Sequence, residues 1–508
     1  MNRAKWLLTL LAFPLCATAQ IPTLVQHVTC PNSRNTGNQQ SNTPDYKCPL
    51  PEPSQTGNTI VVGVVSAAQG SFTMSDDKGN SWTLATSVID GNGAYVAIYV
   101  ASNVANGTRM LRLHRTTANA DFVEMSASEY YNVANSSVVD TAQCNGSNSG
   151  SSTAITAGSI SPTVSGDLLW QWAVNSGGGG GSPNSVVSFA AGSQSGISWQ
   201  LNGTDLHDGD ASQSGIYNST NSINPSFSSG TSEEWSSCVI ALKPGSAGNA
   251  PTNPFRVIHM LHQQVHAGDS NPVAVEFPSS GNLIVNSDIS GASPIASISS
   301  VPANTWASTG AMAGSAGNTA GSQIYFAGNA TTSNTLKMTV NLSGAVTDST
   351  FIIYDITGAS SSPFDNDSCP SGAYSNSSCG GNQTTNLTSF TTCANCLTPS
   401  GNSGGTEIII GNMGINWDTA TAVITPSGAL FDAATDTGNS VNGPQYADQN
   451  NGWFHFYTSA TSALSATWTM SLGVNAEGWW AGRLASFKGA SSSVTQPAPP
   501  TQLTATVQ

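Results

Sequence analysis

The sequence predicts an all-β protein made of two tandem, diverged copies of one β-sandwich or jelly-roll-like domain, with long Gly/Ser/Asn-rich loops. Three observations predict it. Short β-branched or alternating apolar runs recur along the chain, as at 60–65, 95–100, 110–114, 168–174, 239–242, 336–340, 351–356, 408–410, 453–457 and 464–470. Gly, Asn, Asp and Ser clusters that make turns separate them. No window holds a helical period of apolar residues over three turns; 258–265 comes nearest.

The elements follow in chain order. Residues 1–19 read as a secretory leader: Arg3 and Lys5 precede an apolar run, and Ala17-Thr18-Ala19 fits a signal peptidase site. Copy one is placed at 20–245, a Gly/Ser/Pro linker at 246–251, and copy two at 252–490 with a cysteine-rich insertion near 366–400. The copies are aligned by ordered matches. Gly57-Asn58-Thr59-Ile60 matches Gly281-Asn282-Leu283-Ile284, and Asn80-Ser81-Trp82 matches Asn304-Thr305-Trp306. Val139-Asp140 matches Phe364-Asp365, and Gly166-Asp167-Leu168-Leu169 matches Gly405-Thr406-Glu407-Ile408. The segment from Trp235 to Lys243 matches that from Trp480 to Lys488. About eight to ten strands per copy, in two packed sheets, is the expectation. The run at 60–65 is apolar throughout, as for a strand covered on both faces. Residues 491–508 are a Pro-rich linker and a terminal strand in which Leu503, Ala505 and Val507 alternate with polar residues.

Charged residues are 8% of the chain, against roughly 25% in ordinary domains. The formal charge is −15, which becomes −17 when Arg3 and Lys5 leave with the leader. That balance argues against nucleic acid and anionic lipid as partners. No later segment is apolar for long enough to span a membrane. Of the 9 cysteines, Cys16 lies in the leader. The other eight are disulfide candidates for an oxidising compartment: Cys30, Cys48, Cys144, Cys238, Cys369, Cys379, Cys393 and Cys396. Cys30 with Cys48 and Cys369 with Cys379 are natural local pairs. Cys393-Ala-Asn-Cys396 reads as a staple rather than a redox or zinc motif, because no βαβ pattern flanks it.

The strand Gly57-Asn58-Thr59-Ile60-Val61-Val62, the hairpin Gly79-Asn80-Ser81-Trp82 and the closing strand from Val239 to Lys243 carry a resemblance. With their partners in copy two, they resemble uncharacterised secreted bacterial tandem β-sandwich repeat proteins. The resemblance covers nearly all of the mature chain. It implies the fold and a secreted, extracellular or cell-surface location, and it brings no activity. The tail from Pro497 looks like the start of a fibronectin type III domain.

Candidate chemistry is sparse. Glycoside hydrolysis needs two convergent carboxylates. Glu124 and Glu129 are the nearest pair, but five residues apart on a strand they face opposite sides. The segment Gly192-Ser-Gln-Ser-Gly196 has Gln194 where a nucleophile elbow needs serine. His259, His262 and His266 lack an acidic partner in sequence and read as strand residues. Calcium is the one ion the loops admit, at Asp208 and Asp210 or at Asp365 and Asp367. Trp170 and Trp172 share a strand face and offer a sugar-stacking platform. The leading expectation is a non-catalytic extracellular structural or adhesive protein that self-associates, with Leu503, Ala505 and Val507 as an assembly strand. A tandem lectin-like module for surface polysaccharide comes second, and a glycoside hydrolase third.

Overall fold

A computed structural model gives the arrangement. It describes residues 20–490 apart from 31–44, 67–70, 116–122, 147–151, 176–187, 207–208, 266–269, 291–292, 315–320, 346–348, 370–378, 384–388, 402–405, 418–422, 428–431, 437–448, 460 and 472–477. Every regular element among the described residues is a β-strand.

One strand order recurs four times along the chain, at 23–131, 139–242, 256–357 and 359–489. In each stretch the first, last, third, sixth and fifth main strands lie side by side in one sheet, and the second, seventh and fourth form a smaller one. This is a jelly-roll order. Two short strands, Ala313–Gly314 and Gly380–Gln383, are additions to the third and fourth stretches. Each sequence copy therefore holds two eight-strand sandwiches, where eight to ten strands were expected. The missed strands are polar: Gln200–Asp205 and Asp210–Tyr217 carry hardly an apolar side chain, yet are almost wholly buried. A buried strand of Ser, Gln, Thr and Asn has no hydrophobic period to read.

The first and third sandwiches share one 11-stranded sheet. Strand Thr23–Thr29 pairs in parallel with Arg256–Val265, setting His27 beside His259. Outward from this seam, the five main strands of each half follow in the same order. The same bulge precedes Gln26 and His259. The 246–251 linker is pinned down, since Ala247 O accepts the Asn132 amide and Asn58 Oδ1 accepts that of Asn249.

The shared sheet is covered on both faces. Val62, Val64, Met125 and Ala127 pack with Leu111 and Leu113 of the first small sheet. On the other face, Val61, Val65 and Ile98 pack with Trp170, Trp172 and Ile240 of the second sandwich. Thr59–Ser66 is thus buried along its whole length, and its continuous apolar run follows from that position. A Cβ on Gly63 would lie 2.7 Å from the Trp172 ring, so only glycine lets the indole lie flat on the strand.

Among the described residues there are three disulfides: Cys30–Cys48, Cys144–Cys238 and Cys369–Cys379. They fit an oxidising compartment. Cys393 and Cys396 fall on strand Ser389–Leu397, with side chains outside the described residues, as are residues 1–19, Leu503, Ala505 and Val507. No described helix is long and apolar enough to cross a membrane.

Candidate functional site

The tryptophans are not a sugar platform. Trp170 is 0% exposed and Trp172 2% exposed, both sandwiched between the shared sheet and the second sandwich. Trp170 donates its indole N–H to Ser128 Oγ at 3.1 Å. The Trp-x-Trp alternation located a face correctly, but that face is interior because another sheet covers it.

Glu124 and Glu129 do face opposite sides of strand Val123–Tyr131. Glu129 turns to the seam, where Oε1 accepts the Gln55 amide at 2.8 Å and Asn58 Nδ2 at 2.6 Å, and Oε2 accepts Gln26 Nε2. Glu124 points into the space beside Trp172.

The seam holds the densest group of reactive side chain types. Glu52 Oε1 accepts the Val257 amide at 2.9 Å and the Tyr457 hydroxyl, so one carboxylate ties three of the four sandwiches together. Arg256 donates to Val25 O. Burial pushes the carboxyls of Glu52 and Glu129 up, against hydrogen bonds and the Arg256 charge that favour the anions. His455 Nε2 stands 3.8 Å from Glu52, but burial, and then the Arg109 charge, push its pKa down to about 3. It stays neutral, and the contact is not an ion pair at neutral pH. His259 Nδ1 meets Asp355 Oδ2 at 2.9 Å, and the Ser280 amide and hydroxyl also bind that carboxylate. So an acidic partner exists, but on a neighbouring strand where sequence spacing does not show it. His262 packs on Trp453, and His266 lies outside the described residues.

A second grouping occurs twice. In the first half, Asp140 sits in a β-bulge and accepts Thr163 through backbone and hydroxyl, with Lys243 Nζ 3.5 Å away. Asp167 lies beside it with no donor on either oxygen. In the second half Asp365 occupies the equivalent bulge, accepting Ser400 through backbone and hydroxyl and Lys488 Nζ at 2.7 Å, with Glu407 beside it. Burial pushes Asp167 and Glu407 each up to about 7, and the neighbouring aspartate adds to the shift. Each therefore holds its proton to a pH well above the usual carboxylate range. Burial also works against ionised Asp140 and Asp365, but the Thr163 or Ser400 bonds and the lysine hold both below the usual carboxylate range. These are cross-strand struts at the end of each closing strand.

At Asp365 and Asp367, the residues of the calcium expectation, the carboxylates are held by protein donors. Asp365 belongs to the strut, and Asp367 takes Thr309 Oγ1, the Cys369 amide and Arg483 Nε at 3.6 Å. Two basic residues supply the charge an ion would have supplied. Asp208 lies outside the described residues, and Asp210 is buried at a strand start. Among the described residues, no three His, Cys, Asp or Glu side chains converge as a metal cage.

No family model, curated protein or solved structure matches this chain.

Proposed function

We propose that this chain is a non-catalytic extracellular structural or adhesive protein that assembles by adding a strand to an exposed sheet edge. The observation that carries the reading is strand Thr83–Ile89, at one end of the 11-stranded sheet. Its sequence, TLATSVI, has no charge and no proline, and Leu84 and Ile89 are 47% and 50% exposed. Edges are usually blunted by charge, proline, brevity or a bulge; this one has none of the first three and a single register shift between Leu84 and Thr86. At the other end of the same sheet the two-residue strands Ala307–Ser308 and Ala313–Gly314 close the order. The occupant we assign to the open edge is residues 501–508 of a second chain, whose Leu503, Ala505 and Val507 alternate as an added strand requires. The buried cross-links at the seam, Glu52 to Val257 and Tyr457 and Asp355 to His259 and Ser280, support a scaffold role.

Size-exclusion chromatography with light scattering tests this on three forms: the mature chain, the chain ended at residue 490, and Leu84→Lys/Ile89→Lys. Concentration-dependent oligomers of the first, with monomers of the other two, are expected. A monomeric mature chain at all concentrations sinks the proposal.

A further inference from the structure

Beside Trp172, where the shared sheet meets the second sandwich, a small space is lined by Thr29, Glu124, Thr204, Asp205 and Asp210, with Cys30 and Met125 closing one wall. Three of these residues are acids and none is basic. Glu124 is 4% exposed, and neither of its carboxylate oxygens has a hydrogen-bond partner. Asp210 Oδ2 and Thr29 Oγ1, on residues that are also more than nine-tenths buried, are without partners too. Buried polar atoms in folded proteins are nearly always satisfied, so four unsatisfied oxygens around one space call for an occupant. Isolated buried carboxylates are costly, and they are ordinarily paired, protonated or metal-bound.

We infer that this space binds one calcium ion, held by Glu124, Asp210 and the Thr29 hydroxyl, with Asp205 and water completing the shell. The donors are all hard oxygens, which selects calcium or magnesium over softer-ligand metals. Calcium is favoured between the two because it accepts six to eight oxygens in irregular geometry, whereas magnesium demands a near-ideal octahedron. The side chains do not converge as a finished cage, and the ion draws them in. Burial also pushes the Asp210 carboxyl well up, a burden that a bound cation removes.

The second half serves as an internal control. Thr350 stands where Glu124 stands, since Glu124 faces Val65 and Met125 faces Val64, while Thr350 faces Ile289 and Phe351 faces Asp288 in the matching pair of strands. The inference therefore gives one ion per chain. It does not depend on the assembly reading, because its readout is the same on a monomer.

The test is isothermal titration of calcium chloride into the EDTA-stripped mature chain, with Glu124→Gln and Asp210→Asn, and thermal melts of each by circular dichroism. One site per chain is expected, weakened at least tenfold in both variants, with calcium raising the melting temperature of the wild type alone. Both variants should melt in EDTA at or above the wild-type temperature, since each removes an unpaired carboxylate. Absence of calcium binding, undiminished binding in both variants, tighter binding of magnesium chloride than of calcium chloride, or a variant that fails to fold in EDTA would overturn the assignment.

Discussion

The two halves solve one structural problem differently at the same point. In the first half Cys144 and Cys238 face each other across neighbouring strands and are bonded, closing 94 residues of chain. In the second half the matching positions are Cys369 and Arg483, as the pairs Ile240 with Ala142 and Ala485 with Asp367 establish. Cys369 has turned to Cys379, beside the inserted strand Gly380–Gln383. Arg483, fully buried, takes over the crossing: Nη2 donates to Cys369 O at 2.9 Å and to Ala311 O, and Nε faces Asp367. A covalent staple in one copy corresponds to a buried guanidinium in the other. Burial disfavours that charge, and the Asp367 carboxylate works the other way. A staple acts mainly on the unfolded chain, whereas a buried ion pair holds only while both partners stand.

That difference sets the largest expected effect. Arg483→Met leaves Asp367 buried without its cation and should cost about 3–5 kcal/mol, as single removals from buried pairs do. Adding Asp367→Leu should recover much of the loss, because an apolar pair of similar volume often replaces a buried ion pair at little cost. Urea denaturation of the three proteins measures it. Equal loss in the single and double variants would mean that packing, and not the unpaired charge, is at stake. The first half should respond to Cys144→Val/Cys238→Val with a loss of about 2–5 kcal/mol. Unlike the arginine case, removing one cysteine should cost about as much as removing both.

The comparison sharpens if one half can be given the other's device. Arg483→Cys with Asp367→Ala and Cys379→Ser recreates the first half's residues at this point. The expected product is a bond between Cys369 and the introduced cysteine, found as a linked peptide after proteolysis. A free thiol at Cys369 would show that the inserted strand has moved the backbone out of reach. Disulfide geometry tolerates little error.

A further asymmetry lies at Asp288, which matches Val64 of the first half and is fully buried with neither carboxylate oxygen partnered. Burial alone pushes its carboxyl well up. Asp288→Val should stabilise the protein by about 1–3 kcal/mol at neutral pH, read as a raised denaturation midpoint. A lower midpoint would mean that the carboxyl has a partner that this arrangement lacks.

Much of this was legible in the sequence, and the rest was hidden for identifiable reasons. The continuous run at 60–65 announced a doubly covered strand, and the matches from Gly57 and Gly281 aligned the halves. Asp140 with Asp365 and Lys243 with Lys488 already stood inside repeat matches, whereas the match through Gly166 and Gly405 set Asp167 against Thr406, one residue out of step with Glu407. In a chain with so few charges, a charge retained in both copies was the available signal. The four-fold recurrence was hidden because strands such as Asp210–Tyr217 bury serine and glutamine, whose partners are distant in sequence: Gln213 reaches Gln171, and Ser214 reaches Asn202. Nothing in the sequence around Glu124 points to an ion, because Asp205 and Asp210, which line the same space, come from another sandwich.

The struts are where the halves agree, and pH should show it. The Asp167 and Glu407 carboxyls are raised to about 7 in the folded protein, whereas in the unfolded chain they titrate near 4. A raised carboxyl stabilises fully below the unfolded value, and that contribution is lost as pH rises toward the folded one. Asp140 and Asp365 are lowered instead, so they stabilise above the ordinary carboxylate range and lose that contribution as pH falls through their folded values. Asp167→Asn/Glu407→Gln makes the first pair permanently neutral. Melting temperatures should match wild type near pH 4 and exceed it near pH 8, by a smaller margin than any effect above. A variant that melts lower at both pH values would show that the second oxygen of each strut does more than carry a proton.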